Sequence, residues 1–264
     1  MIVLRNCEGF DELEACVQMQ VATWGYDESE VVPRKAFLVA QKIGGQVIGA
    51  FDTNLPGADP RGGAGSMVGF AMSWPGIKTG AGEPKPYLHS HMLAVNEGYR
   101  NRGLGAQLKL EQRHEALSRN IGYMEWTFDP LEIKNAFLNI GKLGAIVRSY
   151  RPDFYGVSSS HLQGGLPTDR LLAEWYLRSP RVTALVEGHR HATFKIEERI
   201  LVPAHTGAWK SAEATRDRAL AIQSENRRKF QQAFTQGLAV LGFSRDAEGN
   251  GVFELGIPSP VEVP

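Results

Sequence analysis

The chain has 264 residues, 42% hydrophobic and 22% charged, an ordinary globular composition for one large domain or a domain with a substantial extension. Its 29 Lys+Arg balance 29 Asp+Glu, giving a formal net charge of +0; no global field recruits nucleic acid or an anionic membrane, and neither is expected as a partner. The two cysteines, Cys7 and Cys16, have no metal-ligand spacing, no charged-then-apolar leader opens the sequence, and no run of about eighteen apolar residues occurs, so a metal-free, soluble, cytoplasmic protein is expected.

Residues 2–5 read as a short strand. Residues 10–24 have helical spacing, with Leu13, Val17 and Val21 on one stripe. A second helix is expected over residues 33–42, with Pro33 in its first turn and Gly44-Gly45 just past its end. Residues 46–52 and 66–73 look like consecutive strands, split by a Gly/Pro/Asp-rich loop at 53–65. A second polar loop, 76–86, leads into an extended apolar run that reaches Val95. The chain then turns through Arg100-Asn101-Arg102-Gly103-Leu104-Gly105 into a long helical pattern. Residues 122–128 have strand composition, Asp129-Pro130 breaks it, residues 131–142 read as a helix ending at Leu143-Gly144, and 146–150 resume an extended pattern.

Beyond Gly156, residues 168–177 are strand- or loop-like, 180–187 a short helix, and 194–202 alternate as a strand. Residues 213–236 form the longest helical pattern, with Leu220, Ile222, Phe230 and Phe234 as apolar positions. Its basic stretch, Arg216, Arg218, Arg227, Arg228 and Lys229, reads as a solvated face. Residues 238–244 and 251–255 frame Asp246-Ala247-Glu248-Gly249-Asn250, a hairpin signal.

The turn at Arg100–Gly105 carries the chemistry. The first turn of a helix leaves backbone N–H groups without intrahelical partners, and the macrodipole adds roughly +0.5 charge there. Glycines let the backbone approach a ligand, and arginines add charge-assisted hydrogen bonds. A Rossmann loop needs a third glycine and a P-loop a terminal Gly-Lys-Ser/Thr; both are missing here. What remains is Arg-x-x-Gly-x-Gly directly after a strand, anchored by Arg100, Gly103 and Gly105. A glycine turn that merely starts a helix is the plain alternative.

This motif resembles the acyl-CoA-binding motif of the GNAT superfamily of N-acyltransferases, and the element order, strand, two helices, three strands, then the binding helix, resembles theirs. Trp126-Thr127-Phe128-Asp129-Pro130-Leu131-Glu132, Asn135-Ala136, Lys142-Leu143-Gly144-Ala145, Asp153-Phe154-Tyr155-Gly156 and Gly165-Leu166-Pro167-Thr168-Asp169-Arg170 are similar to a bacterial subgroup of larger GNAT-like proteins. The resemblance implies an α+β fold, a central mixed, mostly antiparallel twisted sheet flanked by helices. Residues 1–156 would form the acyl-CoA-binding core, with a C-terminal α/β extension at 157–264 packed on it. It also implies acyl-CoA, either acetyl-CoA or succinyl-CoA, as co-substrate, and transfer of the acyl group to the amine of a small molecule, an amino acid above all. An extension of this size builds a homodimer interface or closes an acceptor pocket.

Residue by residue, the resemblance assigns the pantetheine arm to backbone groups of Leu93, Ala94 and Val95. The diphosphate falls to Arg100 and the amides of Asn101, Arg102, Gly103, Leu104, Gly105 and Ala106. Asn135 would touch the pantetheine arm, cap its helix, or both. Acyl transfer to an amine needs a base, a polarised carbonyl and an acid for the leaving thiolate. His89 and His91 lie two apart on one strand, and His91 suits the base; hydrogen-bonded structural histidines are the alternative. Glu125 would activate a water or form a strand-end ion pair. The family's usual tyrosine beside the sulfur is replaced by Ile140 and Gly141, so Tyr150 and Tyr155 are the substitutes, each equally an aromatic core residue. Arg148, Arg151 and Arg170 would clamp a carboxylate of the substrate or form surface ion pairs. A CoA-binding regulator without turnover is the competing function.

Overall fold

The computed structural model describes residues 1–79, 83–189 and 194–259, and its contacts divide the chain into two units, Met1–Met124 and Glu125–Pro264. In the first, β1 (Ile2–Asn6), β2 (Gln46–Asp52), β3 (Met67–Lys78) and β4 (Lys85–Val95) pair antiparallel in chain order. Alternation along the strands sends side chains to two faces. On one face Phe51, Phe70, Met72, Met92 and Ala94 pack with Leu13 and Cys16 of α1 (Gly9–Trp24) and Phe37 and Ala40 of α2 (Arg34–Lys42). On the other, Ile48, Ala50, Val68, Ala71, Leu93 and Val95 pack with Leu104 and Leu108 of α3 (Leu104–Ser118).

Three local expectations change. The buried stripe of α1 is Glu12, Leu13, Cys16 and Gln20, not Leu13, Val17 and Val21; Val21 is exposed. Two polar residues take inward positions because each finds its partners there. Glu12 accepts from Arg5 Nη1 and Nη2 at 2.8 and 2.7 Å and from the Glu8 N–H at 2.7 Å. Gln20 exchanges two 3.0 Å hydrogen bonds with the Val32 backbone. Pro33 is the extended residue capping α2, not part of its first turn. The expected loop at 76–86 is mostly strand: β3 and β4 stay paired out to Lys78 opposite Lys85, and residues 80–82 lie outside the described residues. Gly76, a breaker by type, is where the Tyr87 ring crosses the partner strand too closely for a Cβ.

In the second unit, β5 (Tyr123–Phe128), whose first two residues belong to the first unit, is followed by β6 (Ile146–Arg151), β7 (Arg170–Tyr176), β8 (Glu198–Val202), β9 (Ala239–Arg245) and β10 (Gly251–Gly256), ordered β5-β7-β6-β9-β10-β8. The pairings β6–β7, β6–β9, β9–β10 and β8–β10 are antiparallel. The helix expected over 131–142 is one turn of α-helix, α4 (Ile133–Ala136), running into a π-turn at Phe137–Lys142. Its wider pitch shows in the Leu143 N–H donating to Leu138 O at 2.9 Å, five residues back. Gly144, at φ 76°, ends it. The buried Trp175 donates from Nε1 to Leu143 O at 2.7 Å and meets Trp126 edge-on.

After α5 (Pro180–Val186) and β8 comes an unanticipated helix, α6 (Thr206–Ser211), then α7 (Arg216–Thr235). The inward stripe of α7 is Ala219, Gln223, Asn226, Phe230 and Ala233; Leu220 is exposed. Gln223 and Asn226 face inward because they donate to Pro167 O at 2.9 Å and Leu201 O at 3.0 Å. The basic stretch is not wholly a solvated face either, since Arg227 turns in to the fully buried Asp169 with two 2.8 Å hydrogen bonds. The hairpin at 246–250 is closed by Asp246, whose Oδ1 accepts from the N–H groups of Glu248 and Asn250.

Candidate functional site

In the first unit the cradle is built by a relay of local contacts. Past Val95, the Asn96 side chain accepts from the Gly98 N–H at 3.3 Å and starts a short turn over Glu97–Tyr99. Arg100 Nε donates back to Val95 O at 3.0 Å, which pins the turn to the end of β4. Asn101 (φ 61°) and Gly103 (φ 83°) are both left-handed; Asn tolerates that region and Gly adopts it freely. This reverses the chain so that Gly103 caps α3. Arg102 lies 5.7 Å from the Tyr99 ring, and the Tyr99 hydroxyl donates to Asp52 at 2.8 Å. Leu104 is buried beneath, whereas Arg100, Asn101, Arg102 and Gly103 are exposed, and a Cβ on Gly103 would meet nothing within 4 Å. The result is an exposed turn with helix-start amides and two exposed guanidinium groups, chemistry suited to a diphosphate.

β4 has a register slip beside this cradle. Met72 stands opposite Met92 but Ser73 opposite Ser90, leaving His91 as the extra residue, a β-bulge. His89 and His91 rings lie 6.2 Å apart at 41°. His91 is exposed on one side of the strand pair's register slip, yet the protein mass around it lowers its pKa to about 4, with His89 adding to the effect; it is neutral at ordinary pH. Behind the slip, between α3 and the sheet, Lys109 Nζ donates to Ser90 Oγ at 2.7 Å and Ser90 Oγ donates to Gln112 Oε1 at 2.9 Å. Gln46 donates to Gln112 O at 2.8 Å and to Glu115, and Ser73 donates to Gln46 Oε1 at 3.0 Å. Burial pushes the Lys109 ammonium pKa well down. Neither Ser90 nor Lys109 was marked by the sequence, since a serine in a strand and a lysine in a helix carry no signal of burial.

In the second unit the structure separates the sequence candidates. Tyr155 is exposed; its hydroxyl shares a 2.8 Å hydrogen bond with Thr127 on β5, and Arg170 lies 5.4 Å from its ring. Arg170 donates to Asp169 O at 2.8 Å and Gln163 Oε1 at 3.1 Å, and Arg151 is its cross-strand partner. Thr127, Tyr155, Arg151 and Arg170 are therefore brought together. Arg148 is apart from them: it is paired with Glu174 at 2.6 and 3.1 Å and with the Tyr176 hydroxyl at 3.0 Å, which gives it the ion-pair role. Tyr150 is buried against Phe230 and donates to Asp169 at 2.5 Å. Burial and the Asp169 charge push its pKa up. Glu125 is buried on β5. Asn135 is exposed in α4 and does not cap it, because Glu132 holds that position. Ile140 is buried in the π-turn, beside Gly141.

Among the described residues no group of three or more His, Cys, Asp or Glu is placed to hold a metal ion, and no helix is long and apolar enough to cross a membrane.

Strand, two helices, three strands, a left-handed turn and the helix it starts, then strand, helix and two strands make an α+β arrangement of a mixed twisted sheet flanked by helices, the GNAT fold. No protein-family model matches the sequence, and no curated protein is significantly similar to it. Similar solved structures include Arabidopsis thaliana NAA60 in complex with acetyl-CoA, at 16% identity and a TM-score of 0.53, over 67% of this chain and 98% of that one. The same protein in complex with a bisubstrate analogue gives 15% identity and a TM-score of 0.51, over 67% and 99% of the two chains. A chain of the NatC complex bound to Gag peptide and CoA gives 13% and 0.50, over 66% and 98%.

Proposed function

We propose that this protein is an acyl-CoA-dependent N-acyltransferase that moves an acetyl or other short acyl group, succinyl among them, onto the amine of a small molecule, with amino acids as the leading acceptors. The observation that carries the reading is the cradle at Arg100–Ala106: two left-handed residues and a long helix start, directly after a strand with a register slip. Similar folds in complex with acetyl-CoA and with CoA support the same donor.

The thioester is already activated, so orienting a neutral amine beside it supplies much of the rate. Amides of Asn101 to Ala106 and the Arg100 and Arg102 guanidinium groups take the diphosphate. Backbone groups of Leu93, Ala94 and Val95 hold the pantetheine arm and face the thioester oxygen. The amine lone pair forms the new C–N bond, the C–S bond breaks, His91 takes the amine proton, and the thiolate leaves to be protonated. His91 is neutral at ordinary pH, but with its pKa lowered to about 4 it is a weak base. Glu125 and Tyr155 are the further candidates for moving that proton; Asn135 is a candidate for the arm, and Arg151 and Arg170 for a substrate carboxylate. Tyr150 and Arg148 take no part in this reading. A CoA-binding regulator is the second reading, favoured by Ile140 and Gly141 where the family has a tyrosine.

Gly103→Glu is expected to weaken CoA binding at least a hundredfold by calorimetry with the circular dichroism spectrum retained. Unchanged affinity overturns the cradle. Thiol release from acetyl-CoA and succinyl-CoA across an amine panel then separates the two readings, and CoA binding without release from any pair favours the regulator.

A further inference from the structure

An uninterrupted strand sends residues 90 and 93 to opposite faces. In β4 they share one. Ser90 bonds Lys109 and Gln112 of α3, and Leu93 packs with Leu104 and Leu108 of the same helix. Only the slip at His91 allows both. Two anchors on one helix thus bracket the extra residue, polar on one side and apolar on the other. The polar anchor is made of groups that are expensive to bury: Lys109 is 4% exposed, Ser90 5% and Gln112 0%, and Gln112 Nε2 is buried without a hydrogen-bond partner. Packing alone would be served by an apolar side chain at position 109. Lys109 also lies one helical turn past Gly105, about 6 Å along the axis, so a single rigid element carries both the cradle and the clamp.

We propose that Lys109 and Ser90 are positioning residues: their contact holds the β4 slip open and fixes its backbone groups at a set distance from the diphosphate cradle. Without it the strand can draw His91 back into the ladder, while the cradle, made from the turn and the helix start, stays intact. The clamp therefore acts on turnover and leaves the hold on the CoA diphosphate unchanged. The turnover part rests on the acyltransferase reading; the strand part does not.

The test uses the full chain and three variants. Ser90→Ala is expected to lower kcat for thiol release at least tenfold, to keep the Kd for CoA within twofold, and to speed backbone hydrogen exchange in the peptide covering residues 88–95. Ser90→Thr, which restores the hydroxyl, is expected to recover both. Lys109→Met on top of Ser90→Ala is expected to change kcat less than twofold further, because the two act through one contact. Exchange at the wild-type rate in Ser90→Ala overturns the proposal whatever turnover does. So does unchanged kcat, loss of CoA affinity in parallel with kcat, or a Ser90→Thr variant no better than Ser90→Ala. If wild-type protein releases no thiol with any amine, the acyltransferase reading fails and the exchange and CoA-affinity arms decide the clamp.

Discussion

His91 shows how a single side chain takes its properties from the backbone around it. As the extra residue of a bulge it has no partner opposite on β3, and the surrounding protein, with His89 close by, favours its neutral form. Its folded pKa, about 4, lies below the ordinary 6.5, so between those values the unfolded chain binds more protons than the folded one. The stability His91 contributes is complete above about pH 6.5 and is lost as pH falls toward 4. Melting temperature measured against pH should fall less steeply over that window in His91→Asn than in wild type; identical slopes would remove the shift. At this scale the turn from β4 into α3 was legible in Gly103, whose residue type adopts left-handed backbone freely. The buried Ser90, Lys109, Gln112 and Asp169 were not, because pattern rules send polar residues outward and only tertiary partners reverse that.

Elements were legible where periodicity and breakers agree, as in α3, β2 and the hairpin at 246–250. They were misjudged where a nominal breaker has a packing reason. Residue type places Gly76 in a loop, yet it continues β3 under the Tyr87 ring. The π-turn at Phe137–Lys142 has the sequence of an ordinary helix, since residue types do not distinguish a five-residue from a four-residue hydrogen bond. Gly45 does what its type suggests: a Cβ there would strike the carbonyl oxygens of Ser73 and Ala40, where α2 turns into β2. Gly45→Ala should cost about 1–3 kcal/mol in denaturant unfolding, as overpacking does; a cost under about 0.5 kcal/mol, the range of neutral surface changes, would show that the turn can widen.

At the scale of the whole chain, segments far apart in sequence are brought together. Within the second unit, α6 and α7 are bound into the rest of the unit by buried charge. Lys210 of α6, itself 4% exposed at the side chain, bonds Asp129 at the exit of β5 at 2.5 Å and Glu132 at 3.3 Å. Arg227 of α7 holds Asp169 ahead of β7, and Gln223 holds Pro167. Lys210→Ala leaves Asp129 buried without its cation, so a loss of about 3–5 kcal/mol is expected, read as a shift in the denaturant midpoint. A loss below about 1 kcal/mol, the value of an exposed pair, would mean that solvent reaches the carboxylate. The sequence could not show Lys210 meeting Asp129, 81 residues away.

The slip in β4 also bears on how this chain can change by descent. With side chains alternating every residue, inserting or deleting one amino acid between Met92 and Val95, past the slip, exchanges inside for outside along the rest of the strand, whereas loss of His91 alone would only close the slip. The cradle that follows would be carried round with it. Substitutions along that stretch are graded in effect, and some restore what others remove. A change of length has no such gradation, so residues 92 to 105 should vary among descendants in composition while keeping their number.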